Sequence, residues 1–399
     1  MSQDILHRLM AEFATRYDGG APQVVTRAPG RLEILGNHTD YNEGVVLSAA
    51  VDRATFFAVR RSARPRCRIH DMRDQVSAEF AVSAPDRTEP GAWVRYIAGI
   101  VLELQKRGIA VPGFDAVLFS TIPMSAGMSS SAALEMATAL ALGRLTEVEL
   151  PWIEWARIGQ ACENLAVGAR TGLLDQFSSL KGKRHHLVYA DFRELTVSNV
   201  PLPAEVALVV ADSMVKHNLT GEYNERRACC EEATAALRAR FASVHALRDV
   251  SRQQLEQNRD CMSITAYRRA LHVIGENERV AEGVQALAGG DLAGFGQLLF
   301  ASQESSRLNF ENSCPELDTL VEIGKCLPGS IGARLSGGGF GGITVHLVRQ
   351  AEAEVYARRL SAAYRGLTGR DSQTMICQAD DGAAVLVPAV GQTNNHDHA

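Results

Sequence analysis

Three serines and a glycine stand close together in a segment of small residues. The segment reads PMSAGMSSSAA over residues 123–133, between a predicted strand at 114–120 and a predicted helix at 134–145. Backbone N–H groups at a helix N-terminus bind anions, and small side chains let phosphate oxygens approach the backbone. The hydroxyls of Ser129, Ser130 and Ser131 can add contacts to phosphate or Mg²⁺. A capping serine explains only one of the three, so we predict a phosphate-binding loop that includes Gly127.

A second glycine-rich segment, SGGGFGG at 336–342, has the spacing GxGxxG through Gly337, Gly339 and Gly342. Dinucleotide-binding folds require that pattern to begin a helix. Here the β-branched sequence ITVHLV follows and predicts a strand, which argues against an NAD-dependent dehydrogenase. Because consecutive glycines add chain entropy, we expect this segment to pack closely against a ligand or another loop.

Polar side chains crowd the sequence after Pro29-Gly30, a dipeptide that predicts a turn. The polar group consists of Arg31, Asn37, His38, Asp40 and Tyr41. Such side chains on a loop can hydrogen-bond several hydroxyls of a polyol. The alternative is an ordinary solvated turn.

Two carboxylates in a later segment could divide metal binding and proton transfer between them. Glu163 lies near the end of a predicted helix at 151–166, and Asp175 follows Gly172 in an apolar sequence. A carboxylate in apolar surroundings needs a partner or a function. The pattern alone fits a surface glutamate and a structural aspartate equally well.

The composition argues against several classes of function. The chain has 399 residues, with 41 Lys+Arg and 46 Asp+Glu, and a formal net charge of −5, so it has no general attraction to nucleic acid or anionic lipid. No segment has the apolar length of a membrane span, and the N-terminus lacks the apolar core of a signal peptide. The eight cysteines have no zinc-ligand spacing, and there is no GxxxxGK[ST] loop. We expect a cytoplasmic protein that binds neither nucleic acid nor membranes.

The elements that must position these groups are a mixture of helices and strands. Hydrophobic periodicity predicts helices at 1–18, 93–107, 134–145, 151–166 and 222–241, and strands at 23–28, 114–120, 187–189, 206–211 and 343–348. The length suggests two or three domains, and Pro201 and Pro203 mark a boundary between them. The polar tail at 390–399 is expected to be disordered.

Three motifs carry a family resemblance along nearly the whole chain. GRLEILGNHTDYNEG at 30–44, PMSAGMSSSAALE at 123–135 and ARLSGGGFGGITV at 333–345 resemble, in order, the first, second and third motifs of galactokinases, a branch of the GHMP small-molecule kinases. GLLDQ at 172–176 and HNLTGEY at 217–223 are also similar. The resemblance implies an α/β fold of the α+β type. It also implies two mixed α/β domains, at 1–200 and 201–389, with the active site in the cleft between them.

The same resemblance implies a reaction and a set of roles. A monomer would transfer the γ-phosphoryl group of ATP to the anomeric C1 hydroxyl of galactose, giving galactose 1-phosphate and ADP. Asp175 would act as the base, or would mainly position the hydroxyl, with Arg31 as its electrostatic partner. Ser131 and Glu163 would hold Mg²⁺. The other implied residues are Trp93, Gly127, Ser129 and Ser130 for ATP, Asn37, His38, Asp40, Gly172 and Tyr223 for the sugar, and Gly337, Gly338 and Gly339 in the third-motif loop.

Two residues depart from the family pattern. Galactokinases usually carry glutamate where this chain has Asn37, and asparagine where it has Glu33. The usual glutamate is implied to accept a hydrogen bond from the primary hydroxyl at C6 of the sugar. A neutral amide there would weaken galactose binding and would no longer repel an anionic sugar such as galacturonate. The alternatives are therefore a kinase for a 6-modified sugar, or a sensor that binds ATP and galactose without turnover.

Overall fold

The structure is a computed structural model, and it describes residues 2–89, 92–123, 127–168, 170–215 and 220–387. Within these ranges the chain forms two β-sheets and eleven α-helices. The tail at 390–399, which the sequence predicts to be disordered, lies outside the described residues.

Twelve β-strands form the two sheets in the described part of the chain. In chain order they are β1 (Val24–Leu35), β2 (Val45–Arg61), β3 (Arg66–Asp71), β4 (Val76–Ala81), β5 (Phe114–Ser120), β6 (His186–Asp191), β7 (Thr196–Pro201), β8 (Val206–Asp212), β9 (Ser330–Ser336), β10 (Ile343–Arg349), β11 (Thr374–Cys377) and β12 (Ala384–Val387). The larger sheet has the order β12-β1-β2-β5-β3-β4, with β6 paired to β2 and β7 to β6. The smaller sheet has the order β11-β8-β10-β9. The pairs are antiparallel except β3 and β5, which are parallel.

The helices cover these sheets and connect them. They are α1 (Ser2–Arg16), α2 (Val94–Lys106), α3 (Ser130–Thr146), α4 (Trp152–Val167), α5 (Leu174–Lys181), α6 (Thr220–Arg238), α7 (Arg252–Gln257), α8 (Ile264–Ala288), α9 (Leu292–Ser305), α10 (Pro315–Cys326) and α11 (Ala353–Thr368). The five predicted helices and the predicted strands at 114–120, 187–189, 206–211 and 343–348 are confirmed, with slightly different ends. In the described ranges no helix combines the length and the apolar character that a membrane crossing requires.

The last strand joins the first sheet rather than the second. Strands β1 to β7 precede residue 202 and belong to the larger sheet, and β8 to β11 form the smaller one. β12 then returns and pairs antiparallel with β1, with Val385 opposite Thr26. The predicted division at 200/201 therefore separates the two sheets except for β12, and the domain boundary itself stays a prediction.

A shared hydrophobic core connects the two sheets. Leu32 and Leu47 of the larger sheet belong to the same buried cluster as Leu208 and Val345 of the smaller sheet and Phe295 of α9. All five side chains are fully buried. Removing this much apolar surface from water stabilises the packing of one sheet beside the other. The loops at the adjoining edges of the sheets are thereby held next to each other.

The predicted turn at Pro29-Gly30 is wrong, because β1 continues through both residues. The pairing of β1 with β2 is irregular between Pro29 and Arg31, as in a β-bulge. Proline has no backbone N–H to donate to a neighbouring strand, so it is tolerated where strand pairing is irregular. A Cβ on Gly30 would lie 2.7 Å from the carbonyl oxygen of Met128, and the N–H of Arg31 donates to that oxygen at 3.1 Å. The bulge therefore bonds β1 to the second motif.

Two helical glycines test the packing of α9 against β9. A Cβ on Gly296 would lie 1.8 Å from the carbonyl oxygen of Ile331, whereas a Cβ on Gly366 in α11 would meet no atom within 4 Å. We expect Gly296→Ala to lower the free energy of unfolding by about 2 kcal/mol, as overpacking does. The control Gly366→Ala should raise it by about 0.5–1 kcal/mol, because alanine favours the helix. Urea denaturation measures both, and equal effects would contradict the close contact.

Candidate active site

A cavity of about 420 Å³ lies where the second-motif loop, described over 127–131, meets the third-motif loop at 336–342. The described residues that line it are Arg31, Gly127, Met128, Ser129, Ser130, Ser131, Val215, Ser336, Gly337, Gly338, Gly339, Gly341 and Gly342. The two predicted loops thus form one site. Trp93 directly precedes α2 and packs against the core of the larger sheet. It is not among the described residues that line this cavity, and its contact with adenine stays a prediction.

Arg31 and Asp175 form an ion pair beside this cavity. Arg31 Nε donates to Asp175 Oδ1 at 2.7 Å, and Arg31 Nη1 donates to the carbonyl oxygen of Gly127 at 2.7 Å. β1 carries Arg31, and Asp175 lies in the first turn of α5. Burial opposes the charge of Arg31, but the carboxylates of Asp175 and Glu33 raise its pKa. The guanidinium therefore stays charged.

Ser129 contacts the other oxygen of the same carboxylate. Its hydroxyl donates a hydrogen bond to Asp175 Oδ2, so both oxygens of Asp175 have a donor. Ser129 has a φ of +52°, in the left-handed region that few non-glycine residues adopt outside constrained sites. The residue predicted to contact phosphate therefore also contacts the predicted base.

A chain of buried polar groups extends from Ser131 behind the second-motif loop. Ser131 Oγ donates to Glu163 Oε1 at 2.8 Å, and Gln176 Nε2 lies 3.2 Å from Glu163 Oε2 and 3.1 Å from Glu135 Oε2. Burial, and then the charge of Asp175, raise the pKa of Glu163 to about 7. Burial, and then the charge of Glu163, raise the pKa of Glu135 well above its usual value. Sequence reasoning assigned no role to Glu135 or Gln176, although both lie within its motifs.

The predicted Mg²⁺ ligands, Ser131 and Glu163, are adjacent. In the described ranges no group of three or more His, Cys, Asp or Glu side chains is arranged to hold a metal ion. Mg²⁺ is usually bound by only one or two carboxylates, together with substrate phosphates and water. The raised pKa of Glu163 indicates negative charge that a cation would balance. The Ser131 hydroxyl and the Glu163 carboxylate therefore form a pair of oxygen ligands that fits Mg²⁺ bound together with phosphates.

His38 is enclosed by aromatic rings and uses both of its ring nitrogens. Its ring centroid lies 4.5 Å from that of Phe310 and 5.1 Å from that of Tyr223. Nε2 lies 3.2 Å from the carbonyl oxygen of Gly338 and so carries the proton, and Nδ1 accepts from the Tyr41 hydroxyl at 2.9 Å. Burial lowers the pKa of His38 to about 3, so the ring is neutral. Neither nitrogen is free for a sugar hydroxyl.

Asp40 is the centre of the predicted sugar contacts. Its carboxylate lies against Gly172, where a Cβ would be 1.7 Å from Asp40 Oδ2. Burial, and then the charge of Asp40, raise the pKa of Tyr223. Burial, and then the charge of Glu33, raise the pKa of Asp40 itself to about 7. The structure thus brings Asp40, Gly172, Tyr223 and His38 together.

Asn37 is buried in a hydrogen-bond network beneath this group. Its Nδ2 donates to Glu33 Oε1 and to the carbonyl oxygen of Gly337, both at 2.9 Å, and its Oδ1 accepts from Asn312 Nδ2 at 2.9 Å. Arg334 Nη1 also donates to Glu33 Oε1, at 3.1 Å. The hypothesis that Asn37 removes the repulsion of anionic sugars stays a prediction, and the carboxylate of Glu33, which is in direct contact with Asn37, argues against it.

The third-motif loop is fixed against the first motif through its backbone. The carbonyl oxygen of Gly338 accepts from His38 Nε2 and, at 3.1 Å, from Asn312 Nδ2. Gly339 has a φ of +85°, and a Cβ there would lie 2.1 Å from the carbonyl oxygen of Asn312. The close packing predicted for the glycine-rich segment is confirmed, with another loop as its partner.

Glu276 of α8 supports the backbone that carries Asn37. Its Oε2 accepts from the N–H groups of Gly36 and Asn37, both at 2.9 Å, and its Oε1 accepts from Arg279 Nε at 2.6 Å. Burial alone would raise the pKa of Glu276, but the positive charge of Arg279 holds it well below its usual value. Sequence reasoning missed Glu276 and Asn312, because no local pattern distinguishes them from other polar residues of their segments.

Asp40→Asn tests the raised pKa of Asp40. With a pKa of about 7 in the folded protein and about 4 in the unfolded chain, Asp40 binds a proton on folding between these pH values. Its contribution to the free energy of unfolding then falls as pH rises, by up to about 1.4 kcal/mol per pH unit. We expect the wild type to lose more stability than Asp40→Asn across that window.

Urea denaturation at both ends of the window measures this difference. The control Glu149→Gln removes a carboxylate whose side chain is 91% exposed and should follow the wild type. The same pH dependence in Asp40→Asn and in the wild type would contradict the raised pKa.

Family models match three parts of the chain, and these parts contain most of the residues described above. The galactokinase galactose-binding signature matches residues 11–61, the GHMP kinases N terminal domain matches 95–183, and the GHMP kinases C terminal model matches 284–366. The first contains Arg31 and Asp40, the second Ser131 and Asp175, and the third the glycine-rich loop.

Known proteins with similar sequences and structures extend this likeness to nearly the full length. A galactokinase of Roseiflexus sp. (strain RS-1) is 40% identical over 377 residues, which are 94% of this chain and 95% of the relative. A galactokinase of Chloroflexus aurantiacus is 38% identical over 382 residues, 96% of this chain and 98% of the relative. The structure of Lactococcus lactis galactokinase complexed with galactose has a TM-score of 0.90 and 28% identity, covering 95% of this chain and 99% of that one. A mevalonate kinase shares the fold alone, with a TM-score of 0.59 and 18% identity over 89% of this chain and 98% of that one. On this similarity the chain is a kinase with the GHMP kinase fold and belongs to the galactokinase family.

Proposed function

We propose that this protein transfers the γ-phosphoryl group of ATP to the anomeric C1 hydroxyl of galactose, giving galactose 1-phosphate and ADP. The observation that carries the proposal is the Arg31–Asp175 ion pair beside a cavity formed by the second-motif and third-motif loops. The names of the relatives, and the galactose in the Lactococcus lactis structure, support the choice of sugar.

Asp175 is the base in this mechanism. Its Oδ2, which accepts from Ser129 in the free protein, accepts the proton of the C1 hydroxyl. The hydroxyl oxygen forms its bond to the γ-phosphorus while the bond from that phosphorus to the bridging oxygen breaks, and the electron pair leaves with ADP. Arg31 holds Asp175 Oδ1 at 2.7 Å. Its positive charge stabilises the negative charge that develops in the reaction.

The second-motif loop holds the phosphates of ATP. Ser130 and Ser131 are the first residues of α3, where N–H groups without helical partners and the helix dipole favour anions. Gly127 and Ser129 line the same cavity. Ser131 and Glu163 would hold Mg²⁺, which when bound neutralises charge on the phosphate oxygens. Trp93 would border the adenine.

The sugar lies beside Asp175 and contacts Asp40, Gly172 and Tyr223. Asp40 accepts hydrogen bonds from sugar hydroxyls, and Gly172 leaves room for the Asp40 carboxylate, because a Cβ there would lie 1.7 Å from Asp40 Oδ2. His38 and Asn37 have a different role from Asp40, Gly172 and Tyr223. Their nitrogens hold the carbonyl oxygens of the third-motif loop, so they fix the wall of the sugar site rather than offer free donors.

The two alternatives are not favoured. An anionic sugar would meet the negative charges of Glu33, Asp40 and Asp175, of which Glu33 and Asp175 each raise the pKa of Asp40. A sensor without turnover has no need of an ionised base, yet this chain keeps the Arg31–Asp175 pair and the serines of the second motif. The relatives that match along nearly its full length are named galactokinases.

Asp175→Asn tests the chemical step. It removes the proton acceptor but keeps the size of the side chain, so we expect kcat with galactose to fall at least about 10²-fold while ATP binding changes little. Asp260→Asn is the control, because that side chain is 98% exposed and has no assigned role. ADP release from Mg-ATP is measured with galactose, 2-amino-galactose, fucose, glucose and no sugar. A wild type as inactive as Asp175→Asn on every sugar would contradict the proposed function.

Glu163→Gln tests the metal site separately. Loss of the carboxylate should raise the Mg²⁺ concentration for half-maximal activity by about tenfold or more, because a neutral amide binds Mg²⁺ more weakly. The control is Glu154→Gln on the same helix, whose carboxylate pairs with Arg157 at the surface. The same Mg²⁺ dependence in both variants would contradict the assignment of Glu163 as a Mg²⁺ ligand.

A further inference from the structure

Glu33 is a buried carboxylate that the proposed mechanism does not use. It is 3% exposed and lies two residues after Arg31 on β1. Arg31 pairs with Ala50 and Glu33 with Ser48 in unbroken register. Residues two apart on a strand point to the same face, so Glu33 points to the side of β1 from which Arg31 reaches Asp175.

Only one oxygen of Glu33 is engaged in the described structure. Oε1 accepts from Asn37 Nδ2 at 2.9 Å and from Arg334 Nη1 at 3.1 Å, and the backbone N–H of Glu33 donates to Ser336 Oγ at 2.9 Å. The two side-chain contacts fix the carboxylate, and the backbone contact fixes the strand that carries it. No donor among the described residues reaches Oε2, which leaves an oriented acceptor.

Asn37 holds this carboxylate in place. An amide has two N–H groups, and those of Asn37 go to Glu33 Oε1 and the carbonyl oxygen of Gly337. Its oxygen accepts from Asn312. With its donors committed, Asn37 serves to orient Glu33. Arg334, which is fully buried, balances the charge that this carboxylate places in the interior.

The charge of Glu33 affects the pKa values of residues that we assign to sugar binding. After burial, it is the largest contribution to the raised pKa of Asp40, and it also contributes to the raised pKa of Tyr223. Electrostatic influence of this kind falls with distance. Contacts place Glu33 beside the cavity: its N–H donates to Ser336 Oγ, and Asn37 joins its Oε1 to the carbonyl oxygen of Gly337, and both Ser336 and Gly337 line the cavity.

We propose that Glu33 determines which sugars this protein accepts: its Oε2 accepts a hydrogen bond from a hydroxyl of a neutral sugar, and its negative charge excludes sugars that carry a carboxylate. This inference rests on the proposed function, because it assumes that a sugar occupies the space beside Asp40. It assigns substrate selection to a residue that takes no part in the phosphoryl transfer.

Glu33→Gln tests this role, because glutamine keeps the shape of glutamate and removes its charge. We expect the KM for galactose to rise about fivefold, since a hydrogen bond to a charged group is stronger than one to a neutral group. The ratio of kcat/KM for galactose to that for galacturonate should fall at least about tenfold, because the repulsion is lost. The value of kcat with galactose should stay within about twofold, since the base is untouched.

A second variant keeps the test valid if Glu33→Gln is unstable, since the buried Arg334 then lacks its anion. Glu33→Gln/Arg334→Met removes both charges and should show the same loss of discrimination. The control is Glu43→Gln, which removes a half-exposed carboxylate from the same motif and should behave as the wild type. Circular dichroism checks that each variant is folded.

The outcomes separate this inference from the proposed function. If the wild type phosphorylates galactose and both Glu33 variants keep its discrimination, the role of Glu33 is overturned and the proposed function stands. If the wild type phosphorylates no sugar, the proposed function fails. Calorimetric binding of galactose and galacturonate to the wild type and Glu33→Gln then decides: weaker galactose binding with a reduced preference supports the role of Glu33, and unchanged binding overturns it.

Discussion

The bulge at Pro29–Arg31 in β1 is the constraint on which the active site depends. Where the pairing of β1 with β2 is interrupted, the N–H of Arg31 bonds to the carbonyl oxygen of Met128, and its side chain bonds to that of Gly127 and to Asp175. One residue thereby joins the central strand, the phosphate-binding loop and the base. A regular strand would use the Arg31 N–H within the sheet, and the loop would lose its backbone bond to β1. The glycine before it allows this approach, because any Cβ at residue 30 would strike the loop.

Charge is distributed unevenly around the cavity, and the pKa shifts follow that distribution. Asp40, which we propose contacts the sugar, and Glu163, which we propose holds Mg²⁺, each have a pKa of about 7, because both are buried close to other carboxylates. At the sugar end, hydroxyl donors can satisfy the carboxylate without adding charge. Under the proposed function, a divalent cation would offset both Glu163 and the phosphates. The two carboxylates therefore suit different ligand chemistry.

The sequence predicted the residues that line the cavity better than those that support them. Serines before a helix and glycines before a strand are unusual enough to indicate a site by themselves. Pro29-Gly30 was predicted as a turn because the same dipeptide suits a turn and a bulge, and only pairing with β2 decides between them. The contacts of Asn37 could not be predicted for a related reason. Its effect depends on Glu33, Asn312 and Gly337, and a contact between residues 37 and 312 leaves no local pattern.

Ser129 connects the two ends of the proposed reaction. Its hydroxyl donates to Asp175 Oδ2, the oxygen that accepts the sugar proton in the proposed mechanism. If a sugar hydroxyl takes that place, one donor replaces another, and Oδ2 keeps a hydrogen bond. Ser129 lines the cavity and belongs to the loop that we propose binds phosphate, so the displaced hydroxyl would become available to ATP. One side chain would thereby serve the base and the phosphates in turn.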